Sequence, residues 1–165
     1  GYQPGMQRHH LLPRQLLSAR CFGQLFEWLG RDRVGFDDFR RNGLLLPSTD
    51  RAAVRIGLPL HRGPHRQYNG MVFERVGQIE GRWVERRLNA PDDALEEALF
   101  RLGLLQQALR RSLLAERRRL LLNRADPLGA GRDFAELDAV AELLWRETET
   151  PEIAAELQPL IRNSS

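Results

Sequence analysis

All four histidines of this 165-residue chain fall in two tight pairs, and this distribution constrains the fold more than any other feature of the sequence. His9 and His10 are adjacent, whereas His61 and His65 lie together in a distant segment. Neutral imidazole is the commonest nitrogen ligand of metals and the side chain best suited to accept a proton near neutral pH. The two pairs therefore predict one site assembled from two distant segments.

The second pair continues into a regular spacing, because His61, His65 and Asn69 follow one another at intervals of four. Each such step turns only about 40° around an α-helix. If one helix carried all three residues, two imidazoles and an amide oxygen would form a row able to chelate a divalent ion. Gly63 and Pro64 lie inside the pair, however, and favour an alternative in which His61 belongs to the preceding loop.

The first pair, His9 and His10, lies in a segment that is predicted to form a short strand. Adjacent residues of a strand point to opposite faces, so His9 and His10 would have different tasks. Phosphodiester hydrolysis needs two such tasks: a base that deprotonates the attacking water and a cation that stabilises charge on the phosphate. Either pair alone is more easily explained as histidines with a structural role or no role at all. Only the two pairs together favour a catalytic site.

The charge of the chain comes from arginine, since the sequence contains no lysine. Net charge is +3, and most acidic residues lie beyond Asp92, which leaves the front half basic. This asymmetry fits a phosphate-binding site on one side of the molecule. The single cysteine, Cys21, excludes an intramolecular disulfide and is predicted to be buried.

No apolar run approaches the roughly 18 residues needed to span a bilayer, and residues 1–7 do not resemble a signal peptide. The missing initiator methionine favours a piece cut from a larger protein. The apolar periodicity predicts short strands at 8–12 and 44–47 and a loop or broken strand at 48–60. It predicts helices at 14–30, 36–42, about 64–80, from 92 to about 123, 133–146 and 151–161.

Three separated motifs carry a resemblance to a known family: RHHLLP at 8–13, NGLLLP at 42–47 and GLPLHRGPHRQYN at 57–69. In this order they resemble the AHH branch of the HNH/endonuclease VII (ββα-metal, His-Me finger) nucleases, many of which are C-terminal domains of bacterial polymorphic toxins. Arg8 stands where the family has the alanine of its name. The implied fold is α+β and predominantly helical, with a lead-in at 1–7, a ββα-metal core at 8–90 and a helical extension at 91–165.

The resemblance also implies roles for the histidines. His9, His61 and His65 resemble the metal ligands, with Asn69 as a substitute or as a partner of a ligand. His10 resembles the general base that activates water. One divalent ion is expected, and Mg, Mn, Zn and Ni all remain open, because imidazoles favour zinc or nickel while HNH nucleases often use magnesium or manganese.

Asn42 resembles the asparagine that organises the loop and holds the ring of the base, although a simple turn former before Gly43 is a strong alternative. Tyr68 would contact a phosphate or cap the core. Four arginines near the histidines are suited to phosphate oxygens, although arginines this abundant commonly form only a solvated face: Arg8, Arg14, Arg62 and Arg66.

The sequence thus predicts a metal-dependent endonuclease acting on DNA, with RNA as an alternative substrate. By the resemblance it would be a toxin domain of a larger secreted polypeptide, delivered by a bacterial secretion system into the cytoplasm of a target cell. A cognate immunity protein would be its partner. The alternatives from another class are a non-catalytic module with a structural zinc and a helical interaction domain with incidental histidines.

Overall fold

The computed structural model describes residues 4–63, 65–115, 122–123 and 125–127. Two strands and seven helices follow one another in this part of the chain, as the predicted α+β, predominantly helical class requires. Their bounds are β1 Met6–His10, α1 Gln15–Ser18, α2 Gly23–Leu29, α3 Arg31–Val34, α4 Phe39–Asn42, β2 Gly43–Pro47, α5 Asp50–Ile56, α6 Arg66–Arg86 and α7 Pro91–Leu114.

The two strands form an antiparallel pair in which His9 lies opposite Leu44 and His10 opposite Gly43. His9 is only 3% exposed, while Arg8 on the other face of β1 is exposed. This is the alternation expected of a strand with one face on the core. Only glycine fits at position 43, because a Cβ there would lie 2.1 Å from the Phe39 ring.

A helix, α5, occupies much of the segment predicted to be a loop or broken strand. The Thr49 side chain accepts the backbone N–H of Ala52 and caps its first turn. Gly57 ends it in the left-handed region, with φ of 72°. The prediction at 48–60 was wrong because these capping signals outweigh the irregular apolar pattern between them.

The helix predicted over 14–30 is interrupted. Ala19 adopts an extended conformation that ends α1, and the chain re-enters a helix only at Gly23. Cys21 lies in the turn between the two helices and is exposed. Its predicted burial was therefore wrong, because the break turns this segment away from the apolar faces of α1 and α2.

The long helices α6 and α7 pack against each other behind the sheet. Pro91 and the acidic Asp92 and Asp93 favour the start of α7. Glu97 of α7 forms ion pairs with three arginines, two on α6 and one on α7: Arg82, Arg86 and Arg101. Burial by itself raises the pKa of Glu97, but these guanidinium groups lower it overall.

The chain divides into two compact units, residues 1–131 and 132–165, and α7 lies in the first. The helices predicted at 133–146 and 151–161 lie outside the described residues. The predicted boundary of the nuclease core at residue 90 stays a prediction. Within the described ranges, no helix has the length and apolar character needed to cross a bilayer.

Candidate metal centre and adjoining base

Three imidazoles from two segments far apart in sequence meet in one cluster. His9 is on β1, His61 is in the loop after α5, and His65 is the residue immediately before α6. One nitrogen from each ring lies within 4.8 Å of the others. The ring centroids of His61 and His65 are 4.5 Å apart, and that of His9 is 5.0 Å from His61. The two histidine pairs thus do contribute to one cluster.

The positions of these rings follow from backbone contacts around them. The N–H of His61 donates to the carbonyl of Pro47 at 2.6 Å, which fixes the loop to the end of β2. Tyr68, in the first turn of α6, donates its hydroxyl to the Leu11 carbonyl at 2.7 Å and packs its ring 4.9 Å from that of His9. The strand, the loop and the helix are therefore joined where the histidines meet.

The donor set fits a divalent transition metal. His9 Nε2, His61 Nδ1 and His65 Nδ1 are buried and have no hydrogen-bond partner in the described structure. Buried polar atoms are rarely left without a partner, and an ion would satisfy all three at once. Among the described residues the cluster offers three protein ligands, the number typical of catalytic zinc sites, which keep a coordination position for water or substrate.

Burial also holds these imidazoles in the neutral form that a metal requires. Desolvation, followed by the neighbouring histidines, lowers the pKa of His9 to about 3 and that of His61 to about 4. Desolvation lowers the pKa of His65 as well, against a hydrogen bond with the backbone of Leu122 that raises it. At neutral pH the site therefore presents lone pairs rather than positive charges.

These shifts predict that the metal-free protein loses stability as the pH falls. Between the unfolded value near 6.5 and the folded values, the unfolded chain binds protons that folded His9 and His61 exclude. From about pH 6.5 to about pH 5, the free energy of unfolding should fall by on the order of 2 kcal/mol for the buried His9, and by less for the half-buried His61, whose charge solvent partly screens. Urea denaturation with a chelator present measures this.

The control for this pH dependence is His9→Asn, which removes one of the titrating groups. Its free energy of unfolding should change less steeply with pH than that of the wild-type chain. Equal slopes for the two proteins would contradict the assignment of the effect to His9.

His10 lies outside the cluster but close to it. It is partly exposed, and its charge would act on His9 and His61. Desolvation and then Arg14 lower its pKa, Asp37 raises it, and Arg8 lowers it. The net effect keeps the ring neutral near pH 7 and hence able to accept a proton.

Asn42 is completely buried, so its side chain acts inside the fold. Its amide accepts the N–H of Leu12 at 2.8 Å and donates to the carbonyls of Leu12 and Phe36. None of its hydrogen bonds reaches the His10 ring. The prediction that Asn42 organises the loop agrees with this geometry, and the prediction that it holds the base ring stays a prediction.

The remaining predicted residues are distributed as follows. Asn69 donates to Gln15 at 3.2 Å, which turns its amide nitrogen toward α1. Tyr68 is 1% exposed and belongs to the core, so its predicted contact with nucleic acid was wrong. The four arginines predicted to bind nucleic acid are all exposed: Arg8, Arg14, Arg62 and Arg66. Two of them form surface ion pairs, Arg14 with Asp37 and Arg62 with Asp50.

Sequence reasoning missed a polar residue of α7 that supports the Asn42 turn. Gln106 donates from Nε2 to Asn42 Oδ1 at 3.3 Å and to the Val34 carbonyl at 3.2 Å. It is buried beside Leu105 and Leu109. The available signal was a glutamine on the apolar face of an amphipathic helix, since buried polar groups need partners.

A strand pair, a following helix and three converging imidazoles form a candidate metal centre, with His10 adjacent to one of the three histidines. The model of the AHH family, a nuclease family of the HNH/ENDO VII superfamily with a conserved AHH motif, matches residues 1–108. The chain therefore belongs to the AHH family, and it is a nuclease of a superfamily that uses a divalent metal. No curated protein and no solved structure shows significant similarity to it.

Proposed function

We propose that this chain is a metal-dependent endonuclease that hydrolyses DNA, with His9, His61 and His65 as the metal ligands and His10 as the general base. The observation that carries the proposal is the convergence of three imidazoles from two distant segments, each with a buried ring nitrogen that has no hydrogen-bond partner among the described residues. Family membership supplies the class of reaction.

The residues divide the work of phosphodiester hydrolysis. A divalent ion, when bound, supplies a positive charge that stabilises the scissile phosphate and the leaving oxygen. His10 accepts the proton of the attacking water, which its lowered pKa allows at neutral pH. Exposed Arg8 and Arg66 lie in the segments that carry the histidines, where they can bind phosphates on either side of the cleaved bond.

The proposal includes a biological setting that follows from the sequence resemblance. The chain would be the toxic domain of a larger secreted polypeptide, delivered by a bacterial secretion system and acting in the cytoplasm of the target cell. The producing cell would then need a cognate immunity protein that blocks this activity.

Metal removal tests the proposed activity directly. Chelator-treated protein should leave supercoiled plasmid and total RNA intact, and addition of Mg, Mn, Zn or Ni in separate reactions should restore nicking of the plasmid. Cleavage of RNA alone would support the proposed metal site but would show that the substrate is RNA rather than DNA. Tightly bound zinc with neither substrate cut would contradict catalysis and favour a structural-zinc module.

The ligand set is tested with two variants of α6 and its preceding residue. His65→Ala should weaken metal affinity by at least about 100-fold, because it removes one of three ligands. Asn69→Ala should leave the affinity nearly unchanged, because the Asn69 amide bonds to Gln15. Calorimetric titration of both variants distinguishes the three-histidine site from one in which Asn69 replaces a histidine.

A further inference from the structure

A short turn beyond α7 contacts the loop that carries His61 and His65. Leu60, immediately before His61, donates its backbone N–H to Asp126 Oδ2 at 2.7 Å. Leu60 is completely buried and Asp126 is 7% exposed, so this bond is shielded from water. A carboxylate thus holds the backbone next to one of the proposed ligands.

The same turn makes two more contacts with this loop. Asn123 Nδ2 donates to the carbonyl of Arg62 at 2.7 Å, on the other side of His61. The backbone of Leu122 lies close enough to His65, the second ligand, to raise the pKa of its ring. The turn therefore contacts the backbone on both sides of His61 and lies beside His65.

The turn is ordered by its own hydrogen bonds. Asn123 Oδ1 accepts the N–H of Ala125 at 2.8 Å, and the Asn123 carbonyl accepts the N–H of Asp126 at 3.2 Å. The loop, by contrast, lies between α5 and α6 and is fixed on its opposite side by the bond from His61 to Pro47. The ligand loop is thus held between the end of β2 and this turn.

We propose that residues 122–123 and 125–127 act as a strap that positions His61 and His65 for metal binding, with Asp126 and Asn123 as its positioning residues. The strap lies beyond the residues that match the family model, which end at 108. It is therefore a contribution of the C-terminal half of the unit to the nuclease core, and it rests on the proposed metal site.

The physical basis is pre-organisation of the ligands. Residues around a metal site that orient its ligands commonly change metal affinity by 10- to 100-fold. Without Asp126, the buried N–H of Leu60 would lose its acceptor, and the loop would bind a metal only after being ordered.

The test measures Co²⁺ binding by visible absorption in the full chain and in Asp126→Ala. We expect about a 10- to 100-fold weaker affinity in the variant, and cleavage that returns toward the wild-type rate when Co²⁺ is raised. Asp126→Asn retains an oxygen acceptor for Leu60 and should recover most of the affinity. Because bound metal also stabilises a folded chain, far-UV circular dichroism of the metal-free variant must first show the wild-type fold; a variant folded without metal then has a defect in metal binding rather than in folding.

Glu96→Ala is the charge-matched control, because it removes an acidic group that is exposed and paired with Arg33. Its Co²⁺ affinity should equal that of the wild type. If Asp126→Ala does not fold, Asn123→Ala, which removes the bond to Arg62, replaces it and should also weaken binding. Folded variants at Asp126 or Asn123 with wild-type affinity would overturn the strap.

The outcome for the wild-type chain separates this inference from the proposed function. Wild-type protein that binds no Co²⁺, and is not activated by any of the tested metals, would overturn the metal site itself. Wild-type protein that binds Co²⁺, together with folded strap variants that bind it equally well, would overturn only the strap.

Discussion

Replacing His10 with alanine should lower the rate of plasmid cleavage by about 10²- to 10⁴-fold, the usual contribution of a general base. The metal affinity should remain within a few-fold of the wild-type value, because His10 is not one of the three clustered histidines. Nicking rates at saturating metal and a parallel metal titration measure the two quantities. Expression inside bacterial cells should arrest growth with the wild-type chain and not with the variant.

The adjacent residue provides the matched control for this prediction. His9→Ala removes one of the converging nitrogens and should abolish tight metal binding along with cleavage. The two neighbouring histidines would thus give different defects, one in proton transfer and one in metal retention. Loss of metal from His10→Ala, or an undiminished rate, would contradict the assignment of His10 as the base.

Asn42→Ala should reduce the free energy of unfolding by about 3–5 kcal/mol, the largest stability effect expected of a polar substitution in this chain. The change removes four hydrogen bonds from a completely buried side chain. It leaves the backbone groups of Leu12, the Phe36 carbonyl and the Gln106 amide without this partner, and each such buried group costs about 1–3 kcal/mol. Urea denaturation with a chelator present separates this effect from metal binding.

Asn69→Ala is the corresponding control on an asparagine that is not fully buried. In the described structure its side chain donates to Gln15 in an exposed contact, so the free energy of unfolding should change by less than about 1 kcal/mol. An Asn42→Ala protein as stable as this control would show that the turn before β2 does not depend on the buried amide.

The buried network around Asn42 illustrates how far sequence reasoning reaches. The position of Asn42 before Gly43 was enough to predict a turn, and the family motif was enough to predict a loop organiser. The bonds to Gln106 and Phe36 depend on α7 and on the turn after α3. Gln106 lies 64 residues from Asn42, and although Phe36 is only 6 residues away, no local periodicity encodes either contact.

The spacing of His61 and His65 was likewise only a partial guide to the structure. The interval between His61 and His65 fits a helix, but in the folded chain His61 lies in the loop and His65 precedes the first helical residue. Gly63, with φ of 76°, allows the loop to turn between them. The interpretation that places His61 in the loop is therefore the one the structure supports.

The sequence by itself determined the class of fold, the family and the membership of the histidine pairs in one site, because these depend on residue types and on local order along the chain. Tertiary structure alone decided which ring nitrogens converge, that Asn42 and Tyr68 are buried, and that Asp126 reaches the ligand loop. These properties arise from contacts between segments far apart in sequence, where the geometry of packing rather than local preference sets the position of each side chain.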